Sequence, residues 1–566
     1  MHRGISTLVR RPSLAGFRSL RLAALLAALA ALMAPYARAA TAASKTQRLA
    51  AVPPMGWNDW AHYQCGFTGE TILNNARMLV KTGLAARGYN TVTIDDCWML
   101  KTRDAQGNLQ ADPGRFPQGM KPLADAIHRL GLKFGIYEDA GSETCGEFAG
   151  SGQPQGGGKD HFLQDARLFA SWGVDYLKLD GCNVYARTPE GKVEAYRKAY
   201  AAQSEALKSA GKPIVFSESA PAYFQDTPAW YDVLAWVRQY GQLWREGTDM
   251  ANYHAKSAGK PRFKSVLWNY AYNLPLGRFQ SPGNWNDPDF IIGGDSGLSL
   301  AESRSQMALW SMMSAPLILS SDIERLNPEA IEILGNRAVI AVDQDPLGRM
   351  ATLVRRTATV DLLLKPLKGA EYAVAVLNHG ESPAHVRLEP AELGFAGGAR
   401  CTVDAQDLWS GAHATSLAAL QADVASHDTA IWRIRPSAAC GKPARTGTIV
   451  MTAGRSLESL PGYTRCLASS AELEECAGGP QERWTVTAGG GLRSAAGCLA
   501  AVGGKPVLQK CNGGAAQKWC YTLSGNLVNA GDKECLTNGT AVETGQPLSM
   551  QSCGHNQANQ IWSLPN

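Results

Sequence analysis

The chain has 566 residues, too many for one ordinary hydrophobic core, so we expect about three or four domains. Six of its 55 lysines and arginines, and none of its 50 acidic residues, lie within residues 1–39. The remainder is close to neutral, which gives no electrostatic case for binding nucleic acid or an anionic membrane surface. No stretch after residue 39 is long and apolar enough to cross a bilayer.

The N-terminus has the layout of a secretory signal. Five arginines precede the apolar stretch from Leu22 to Met33, and the small-x-small sequence Ala37-Arg38-Ala39 follows it. This stretch is shorter than the roughly 20 residues of a membrane-spanning helix. We therefore expect residues 1–39 to be a signal peptide and the mature protein to be secreted or periplasmic. Thirteen cysteines in an exported chain indicate disulfides, and their odd number leaves at least one unpaired.

Residues 50–350 alternate apolar, strand-like runs with helical patterns. Strands that alternate with helices form parallel sheets, and about eight such units over roughly 300 residues predict an α/β fold of the (β/α)₈ barrel type. The runs begin at Met55, Thr91, Leu132, Tyr176, Pro213, Gln242, Trp285 and Pro316. A doubly wound open sheet is the alternative, but it requires a glycine-rich phosphate loop after an early strand, and the sequence has none there.

The fourth run, from Tyr176 to Cys182, carries the clearest chemical signal. Lys178 and Asp180 lie two residues apart and share one face of a strand that stops at Gly181. A neighbouring lysine keeps a carboxylate ionised, which is the state that a nucleophile needs. For these two residues alone, a structural ion pair at the end of a strand is the alternative interpretation.

After about residue 350 the pattern changes to short strands separated by glycine and proline, such as Thr359–Leu364, Tyr372–Leu377 and Ala430–Ile434. This pattern predicts an antiparallel β-sandwich over residues 351–437. Residues 438–448 are rich in small side chains, and we interpret them as a linker to the last domain.

Residues 449–566 contain three repeats of about 40 residues. Each repeat has Cys-Leu near its start, a second cysteine, and a Gln-x-Trp-like ending, although the first ends in Gln481-x-x-Trp484. The repeats resemble the ricin-type β-trefoil. The resemblance implies a core role for the tryptophans and one disulfide in each unit. The implied pairs are Cys466 with Cys476, Cys498 with Cys511, and Cys535 with Cys553.

Sugar-binding trefoils of this family usually carry an aspartate two residues after the first cysteine of a unit. The corresponding positions here hold Ala468, Ala500 and Thr537. Because none of these side chains is a carboxylate, we do not expect the usual lectin sites. Weak binding, binding elsewhere and a spacer role are the alternatives for this domain.

Six segments resemble glycoside hydrolase family 27, the α-galactosidases and α-N-acetylgalactosaminidases, and they follow the family's order over about 240 residues. The segments are Met55–Trp60, Ile94–Trp98, Gly135–Tyr137, Tyr176–Cys182, Arg245–Asp249 and Trp285–Asp289. The resemblance implies a retaining hydrolase with Asp180 as nucleophile and Asp249 as general acid and base. Such enzymes hold the two carboxyl groups about 5 to 5.5 Å apart. We expect no metal and no cofactor.

The resemblance also implies the sugar-binding residues. Asp95 and Asp96 would accept hydrogen bonds from the 4- and 6-hydroxyls, and Lys178 would also reach sugar hydroxyls. Trp60 and Tyr137 would form apolar walls. Barrel packing explains each aromatic residue equally well when it is taken singly.

Further residues around the mouth of the pocket follow from the same resemblance. Arg245 and Asp289 would lie near the 2-position and the ring. Cys145 would line the pocket and pair with Cys182, and Cys65 would pair with Cys97.

The fifth strand determines the preferred sugar. Family α-galactosidases present a glutamate and a larger apolar residue to the 2-hydroxyl, whereas the N-acetylgalactosaminidases present serine and alanine. The family register places Ser219, Ala222 and Tyr223 there, so we expect α-N-acetylgalactosamine to be the favoured sugar. A shift of one residue would place Glu218 in the pocket, which leaves a plain α-galactosidase as the alternative.

The expected partner is a carbohydrate, either an oligosaccharide or the glycan of a glycoprotein or glycolipid. A sugar-binding protein with an inert barrel is the alternative from another class, but the two barrel aspartates and the missing trefoil aspartates argue against it. A β-L-arabinopyranosidase is a third alternative. The presence of both Asp95 and Asp96 instead favours a sugar with a 6-hydroxyl. The sequence leaves the oligomeric state open.

Overall fold

A computed structural model describes residues 48–565, except for 156, 228, 252–261, 295–296, 452–464, 540–546 and 555–556. The signal peptide expected at residues 1–39 lies outside the described residues. Among the helices of the described part of the chain, none combines the length and the hydropathy that a membrane span needs.

The first domain contains eight parallel strands. They are β1 (Met55–Asn58), β2 (Thr91–Ile94), β3 (Lys133–Asp139), β4 (Tyr176–Asp180), β5 (Val215–Glu218), β6 (Leu243–Arg245), β7 (Trp285–Asp287) and β8 (Leu317–Leu319). Their order is β7-β6-β5-β4-β3-β2-β1-β8, and a parallel bridge between Ile291 and Leu319 links β8 to the segment after β7. The predicted (β/α)₈ barrel is therefore confirmed, and the open doubly wound sheet is wrong.

Helices cover the outside of the barrel. They are α1 (Trp60–Tyr63), α2 (Gly69–Lys81), α3 (Met120–Arg129), α4 (Phe162–Trp172), α5 (Lys192–Lys208), α6 (Trp230–Val237), α7 (Arg262–Asn273), α8 (Leu300–Met313), α9 (Pro328–Leu334) and α10 (Arg337–Asp343). Thr68 and Ser299 start α2 and α8 with capping boxes, which satisfy the first backbone N–H groups. Every residue of β1, β2 and β8 is buried, because these strands are covered on both faces.

The second domain consists of antiparallel sheets, as predicted. Its strands are β9 (Thr352–Arg356), β10 (Val360–Leu367), β11 (Glu371–Asn378), β12 (Ala384–Leu388), β13 (Val403–Asp407), β14 (His413–Leu417), β15 (Leu420–Val424) and β16 (Thr429–Pro436). Six of them form one sheet in the order β14-β13-β16-β11-β10-β9, and β12 pairs with β15.

The central strands of this sheet contact two cores. Leu362, Leu364 and Val374 lie in the core of the sandwich, whereas Leu363 and Ala375 join the apolar core of the barrel. Successive side chains of a strand point to opposite faces, so one sheet supplies both cores. The sandwich is therefore packed directly against the barrel.

A buried ion pair lies at this interface. Arg356 donates through Nε to Asp361 at 2.7 Å, and the Tyr270 hydroxyl of α7 donates to the same carboxylate at 2.9 Å. Burial is the largest single influence and would raise the pKa of Asp361, but Arg356, together with His379 and Tyr270, lowers this pKa below its ordinary value. Asp361 is therefore a charged group whose partners lie in both domains.

Replacing Arg356 with methionine is expected to reduce the free energy of unfolding by about 3–5 kcal/mol, because Asp361 would remain buried without its main cation. Urea unfolding at neutral pH measures the change. Arg77→Met is the matched control, since Arg77 pairs with Glu70 on the surface and the side chains are 50% and 74% exposed. The control is expected to lose no more than about 1 kcal/mol. Equal small losses for both variants would contradict the interpretation.

The third domain is a set of short antiparallel strands. They are β17 (Arg445–Thr448), β18 (Val450–Met451), β19 (Arg465–Leu467), β20 (Leu473–Glu475), β21 (Arg483–Val486), β22 (Leu492–Ser494), β23 (Gly497–Val502), β24 (Lys505–Gln509), β25 (Trp519–Tyr521), β26 (Leu527–Asn529), β27 (Cys535–Thr537), β28 (Ser549–Gln551) and β29 (Trp562–Ser563). Within the segment predicted as a linker, β17 pairs with β21 of the first repeat.

The three repeats use one hydrogen-bond pattern, as expected for a β-trefoil. The indole nitrogens of Trp484, Trp519 and Trp562 donate to the carbonyl oxygens of Leu467, Leu499 and Leu536 at 2.7, 3.0 and 2.9 Å. Two residues before each tryptophan, a side-chain oxygen of Glu482, Gln517 or Gln560 accepts backbone N–H groups. The first repeat therefore has Glu-x-Trp in place of Gln-x-Trp, and Gln481 is not the equivalent residue.

Six disulfides connect twelve of the thirteen cysteines. They are Cys65–Cys97, Cys145–Cys182, Cys401–Cys440, Cys466–Cys476, Cys498–Cys511 and Cys535–Cys553. Cys520 is free and exposed. The resemblance implied no partner for Cys401 or Cys440, and these two cysteines pair with each other.

Candidate active site

Acidic residues converge at the carboxyl ends of β2, β3 and β4. Asp95 and Asp96 follow β2 directly, Asp139 ends β3 and Asp180 ends β4. Asp139 and Asp180 are register partners in the parallel pair. This end of a (β/α)₈ barrel is where the loops build an active site.

The Asp180 carboxylate is held by three donors. The Tyr223 hydroxyl donates to Oδ1 at 2.5 Å, the Tyr137 hydroxyl donates to Oδ2 at 3.2 Å, and the backbone N–H of Gly181 donates to Oδ1 at 3.0 Å. Both oxygens are therefore fixed in orientation. Asp180 is also only partly buried, so its carboxylate remains accessible from the mouth of the barrel.

Lys178 contacts a different carboxylate from the one expected. Its ammonium group donates to Asp95 Oδ2 at 2.6 Å. Burial alone would lower the pKa of Lys178, but the charges of Asp95 and Asp180 outweigh burial and raise it. Lys178 therefore stays charged. Its long side chain extends to the end of β2, and its positive charge interacts electrostatically with Asp180.

Asp95 and Asp96 are buried and rigidly held. Asp95 Oδ2 also accepts from the Asn58 amide at 2.7 Å, and the backbone N–H of Asp96 donates to Asp95 Oδ1 at 3.0 Å. Asp96 accepts from the backbone N–H groups of Cys97 and Gly146 at 2.7 and 2.8 Å. Burial raises the pKa of Asp96 in spite of these donors. The pair presents two fixed acceptors to a polar ligand.

A second charged cluster surrounds Arg245 at the end of β6. Its guanidinium contacts Asp249 Oδ1 at 3.0 Å and Asp289 Oδ1 at 3.1 Å. The Arg245 side chain is 8% exposed, whereas that of Asp249 is 76% exposed. Burial raises the pKa of Asp289 to about 6, although Arg245 opposes the shift. The positive charge of Arg245 also acts on Lys178, which links the two clusters electrostatically.

The register of β5 places Ser217 and Glu218 on opposite faces of the sheet. Ser217 lies beside Lys178 of β4, and Glu218 lies beside Leu179. Register partners point to the same side of a parallel sheet, so Ser217 faces the side of Lys178 and Glu218 faces the opposite side. The Glu218 carboxyl lies against Gly241, where an added Cβ would collide with it. Its burial raises its pKa well above the ordinary value.

The residues after β5 turn towards Asp180. Ser219 is buried and precedes the short 3₁₀ helix Ala220–Phe224, in which Ala222 and Tyr223 are half-buried. The contact from Tyr223 to Asp180 places this turn beside the candidate nucleophile. Ser219 and Ala222 thus lie on the same loop as a residue that contacts Asp180.

Two disulfides connect the loops around these acidic residues. Cys145–Cys182 joins the loop after β3 to the residue that follows Gly181, and the Tyr137 hydroxyl lies 3.4 Å from Cys145 Sγ. Cys65–Cys97 attaches the loop after α1 to the residue next to Asp96. Trp60 is half-buried and packs against the barrel core.

Two buried acids in this region were not singled out from the sequence. Asp139 accepts from the backbone N–H groups of Gly141 and Cys182 at 2.6 and 2.9 Å, and burial together with Asp180 raises its pKa well above the ordinary value. Asp59 accepts from the Asp95 backbone N–H at 2.8 Å, and burial raises its pKa as well. Asp59 follows β1 and Asp139 ends β3. This position at the end of a strand is the only sequence signal that could have identified them.

Each of the three domains matches a known protein family. Residues 52–345 match the family described as "Alpha galactosidase A", residues 357–434 match "Alpha galactosidase C-terminal beta sandwich domain", and residues 445–562 match "Ricin-type beta-trefoil lectin domain". The chain belongs to the α-galactosidase A family. The expected resemblance to glycoside hydrolase family 27 and the prediction of a glycosidase are therefore confirmed.

Relatives of this family match the chain over most of its length. Alpha-galactosidase A of Aspergillus niger is 38% identical over 520 residues, which cover 91% of this chain and 92% of the relative. Probable alpha-galactosidase A of Aspergillus oryzae is 39% identical over 441 residues, covering 77% and 79%. The crystal structure of alpha-galactosidase I from Mortierella vinacea has a TM-score of 0.60 at 29% identity, covering 69% of this chain and 98% of that one.

Proposed function

We propose that this protein removes terminal α-linked galactose-type sugars with retention of configuration, with Asp180 as nucleophile and Asp249 as general acid and base. The observation that carries the proposal is the Asp180 carboxylate, held by three donors at the end of β4. Arg245 supports the second role, because it contacts Asp249 and acts electrostatically on Lys178 beside Asp180. The α-galactosidase relatives support the same substrate class.

The proposed mechanism has two steps. Asp180 attacks the anomeric carbon and forms a glycosyl ester while Asp249 donates a proton to the departing oxygen. Asp249 then accepts a proton from water, which attacks the ester and releases the sugar. The Tyr137 and Tyr223 hydroxyls keep the attacking carboxylate oriented, so little reorganisation is needed.

Asp95, Asp96 and Lys178 are assigned to recognition of the 4- and 6-hydroxyls. The two aspartates are 1% exposed and their oxygens are fixed by backbone and side-chain donors. A sugar that lacks the matching hydroxyl would lose hydrogen bonds to charged acceptors, which lowers its affinity relative to a sugar that has it. This assignment supports galactose-type sugars over pentoses.

Ser219 and Ala222 are assigned to the 2-position and favour α-N-acetylgalactosamine. These side chains are small, and they lie on the loop whose Tyr223 contacts Asp180. Glu218 points away from Lys178 and lies against Gly241, which supports the register in which serine faces the sugar. A small serine and alanine leave room for an acetamide group.

Comparing kcat/KM for the p-nitrophenyl glycosides of α-galactose and α-N-acetylgalactosamine tests the substrate. We expect both to be hydrolysed, the second at least as well as the first. Hydrolysis of the galactoside alone would reject the assigned 2-position pocket but keep the α-galactosidase. Hydrolysis of neither would reject the function.

A double variant, Ser219→Glu with Ala222→Leu, tests the pocket itself. Filling the space for the acetamide is expected to lower kcat/KM for the N-acetylgalactosaminide by about 100-fold and to change that for the galactoside far less. Glu218→Gln is the control, because this side chain lies on the other face and should leave the ratio unchanged. A change of ratio in the control would favour the shifted register.

We infer that the protein acts outside the cytoplasm. Six disulfides require an oxidising compartment, and the N-terminal sequence has the pattern of an export signal. Detection of the protein in a culture medium or periplasmic extract, with residues 1–39 removed, tests the inference.

A further inference from the structure

The trefoil lacks exposed groups at its expected sugar positions. Ala468, Ala500 and Thr537, which replace the usual aspartates, are all 0% exposed. The tryptophans of its three repeats are buried as well, with their indole nitrogens bonded to backbone carbonyls. This domain contacts the sandwich through Arg483 and the barrel through Leu523.

Arg278 lies at the centre of the contact with the barrel. It belongs to the 3₁₀ helix Leu274–Phe279 of the barrel, and its Nε donates to the Leu523 carbonyl of the trefoil at 2.6 Å. Its guanidinium lies 5.4 Å from the ring centre of Tyr521 in the trefoil and 5.5 Å from that of Tyr231 in the barrel. The trefoil residue Ile561 is 1% exposed and joins the apolar core of the barrel.

Helix α7, which we call the junction helix, contacts all three domains. Ala271 forms a buried cluster with Val450 and Cys466 of the trefoil. On the sandwich side, Phe263 stacks on His427 at 4.7 Å between ring centres, and Tyr270 donates to the buried Asp361. The helix therefore has little freedom to move while both neighbouring domains are in place.

The same helix holds the backbone on both sides of Asp249. The Asn269 amide donates to the Thr248 carbonyl at 3.1 Å and to the Pro288 carbonyl at 2.8 Å. The backbone N–H of Ala251 donates to Ser265 Oγ at 3.1 Å. The Asp249 side chain is 76% exposed, so its position depends on this backbone and on Arg245 rather than on packing.

We propose that the trefoil acts as an intramolecular brace for the catalytic acid: it fixes the junction helix, and the junction helix fixes the loop that carries Asp249. The proposal rests on the role of Asp249 in the proposed function. A catalytic group displaced by about 1 Å can lose about 100-fold in rate, so a brace remote from the substrate has a measurable effect. Arg278 and Asn269 are positioning residues in this arrangement.

Leaving-group dependence separates a displaced acid from a general structural defect. A 2,4-dinitrophenolate departs without protonation, whereas an alcohol or a sugar needs a proton from the acid. In the full-length protein, Arg278→Gln is expected to lower kcat/KM for a disaccharide about 10-fold or more and to spare the dinitrophenyl galactoside. Arg493→Gln, an exposed change on the trefoil, is expected to affect neither substrate.

Asn269→Ser breaks the link between the junction helix and the loop and is expected to show the same selective loss. If this variant is selective and Arg278→Gln is not, the helix holds the loop without the trefoil, and the proposal is wrong. Equal losses with both substrates, or no loss at all, would overturn it too. Asp249→Asn is the reference: if it fails to discriminate between the leaving groups, the proposed function fails and not merely the brace.

Discussion

Asp180→Asn is expected to lower kcat by about 10⁴-fold or more, the range seen when a covalent nucleophile is removed. Asparagine has the same shape, and its side-chain oxygen still accepts from Tyr223 and Gly181. The amide lacks the negative charge and cannot form the glycosyl ester. The loss should therefore fall on turnover while the fold persists. Steady-state kinetics with an aryl α-galactoside measures it, and thermal unfolding checks the fold.

Asp160→Asn, at an exposed position in the loop before α4, is the matched control and should retain full activity. The truncated variant Asp180→Gly provides a second check, because azide can attack the sugar directly in the space that the missing carboxylate leaves. In this variant azide should produce a galactosyl azide of inverted configuration. Turnover that survives the change from aspartate to asparagine would reject Asp180 as the nucleophile.

Asp249→Asn is expected to lower kcat/KM for disaccharides by about 10²- to 10⁴-fold, because the departing sugar alcohol loses its proton donor. With a 2,4-dinitrophenyl galactoside the first step should remain fast, since that leaving group needs no proton. The second step should then limit turnover, because water loses its base. Kinetics over a series of aryl galactosides with phenols of different acidity measures this dependence.

Azide distinguishes the role of Asp249 from that of Asp180. As an anion it needs no general base, so it should restore turnover of the activated substrate and give a galactosyl azide of retained configuration. Inverted azide product, or an equal loss across all leaving groups, would show that Asp249 does not act as the acid and base.

The barrel could be predicted because each strand is short, buried on both faces and bounded by loops. The eight predicted runs correspond to β1–β8, and the polar residues that end them converge as the fold requires. The sandwich and the trefoil could also be predicted, because short strands replace the strand–helix alternation after about residue 350 and three repeats follow from residue 449. The roles assigned to Asp180 and Asp249 came from the family resemblance and stay predictions.

Side-chain reach and packing between domains could not be predicted from the sequence. Lys178 contacts Asp95, the residue after β2, instead of Asp180 two residues away, because its long side chain extends to the end of that strand. The contacts of the junction helix with the other domains could not be predicted either. Its contacts join residues far apart in the chain, such as Tyr270 with Asp361, and no local pattern encodes them.

In the first trefoil repeat the sequence motif pointed to the wrong residue. The Gln-x-Trp pattern suggested Gln481, yet the carboxylate of Glu482 accepts the backbone N–H groups of Ala477 and Gly478. Glutamate keeps the acceptor role because both of its oxygens accept a backbone N–H, whereas the amides of Gln517 and Gln560 also donate to the carbonyl oxygens of Lys510 and Ser552.

Trapping the covalent intermediate would identify the nucleophile of this protein. A 5-fluoro-α-galactosyl fluoride reacts with a retaining nucleophile, and its glycosyl ester is hydrolysed slowly enough for peptide mass spectrometry. We expect one sugar per protein, attached to Asp180 within the peptide that contains Tyr176–Cys182, and no label on the Asp180→Asn variant. A label on another residue, or steady turnover that releases the inverted sugar with no adduct, would show that Asp180 is not the nucleophile of a retaining enzyme.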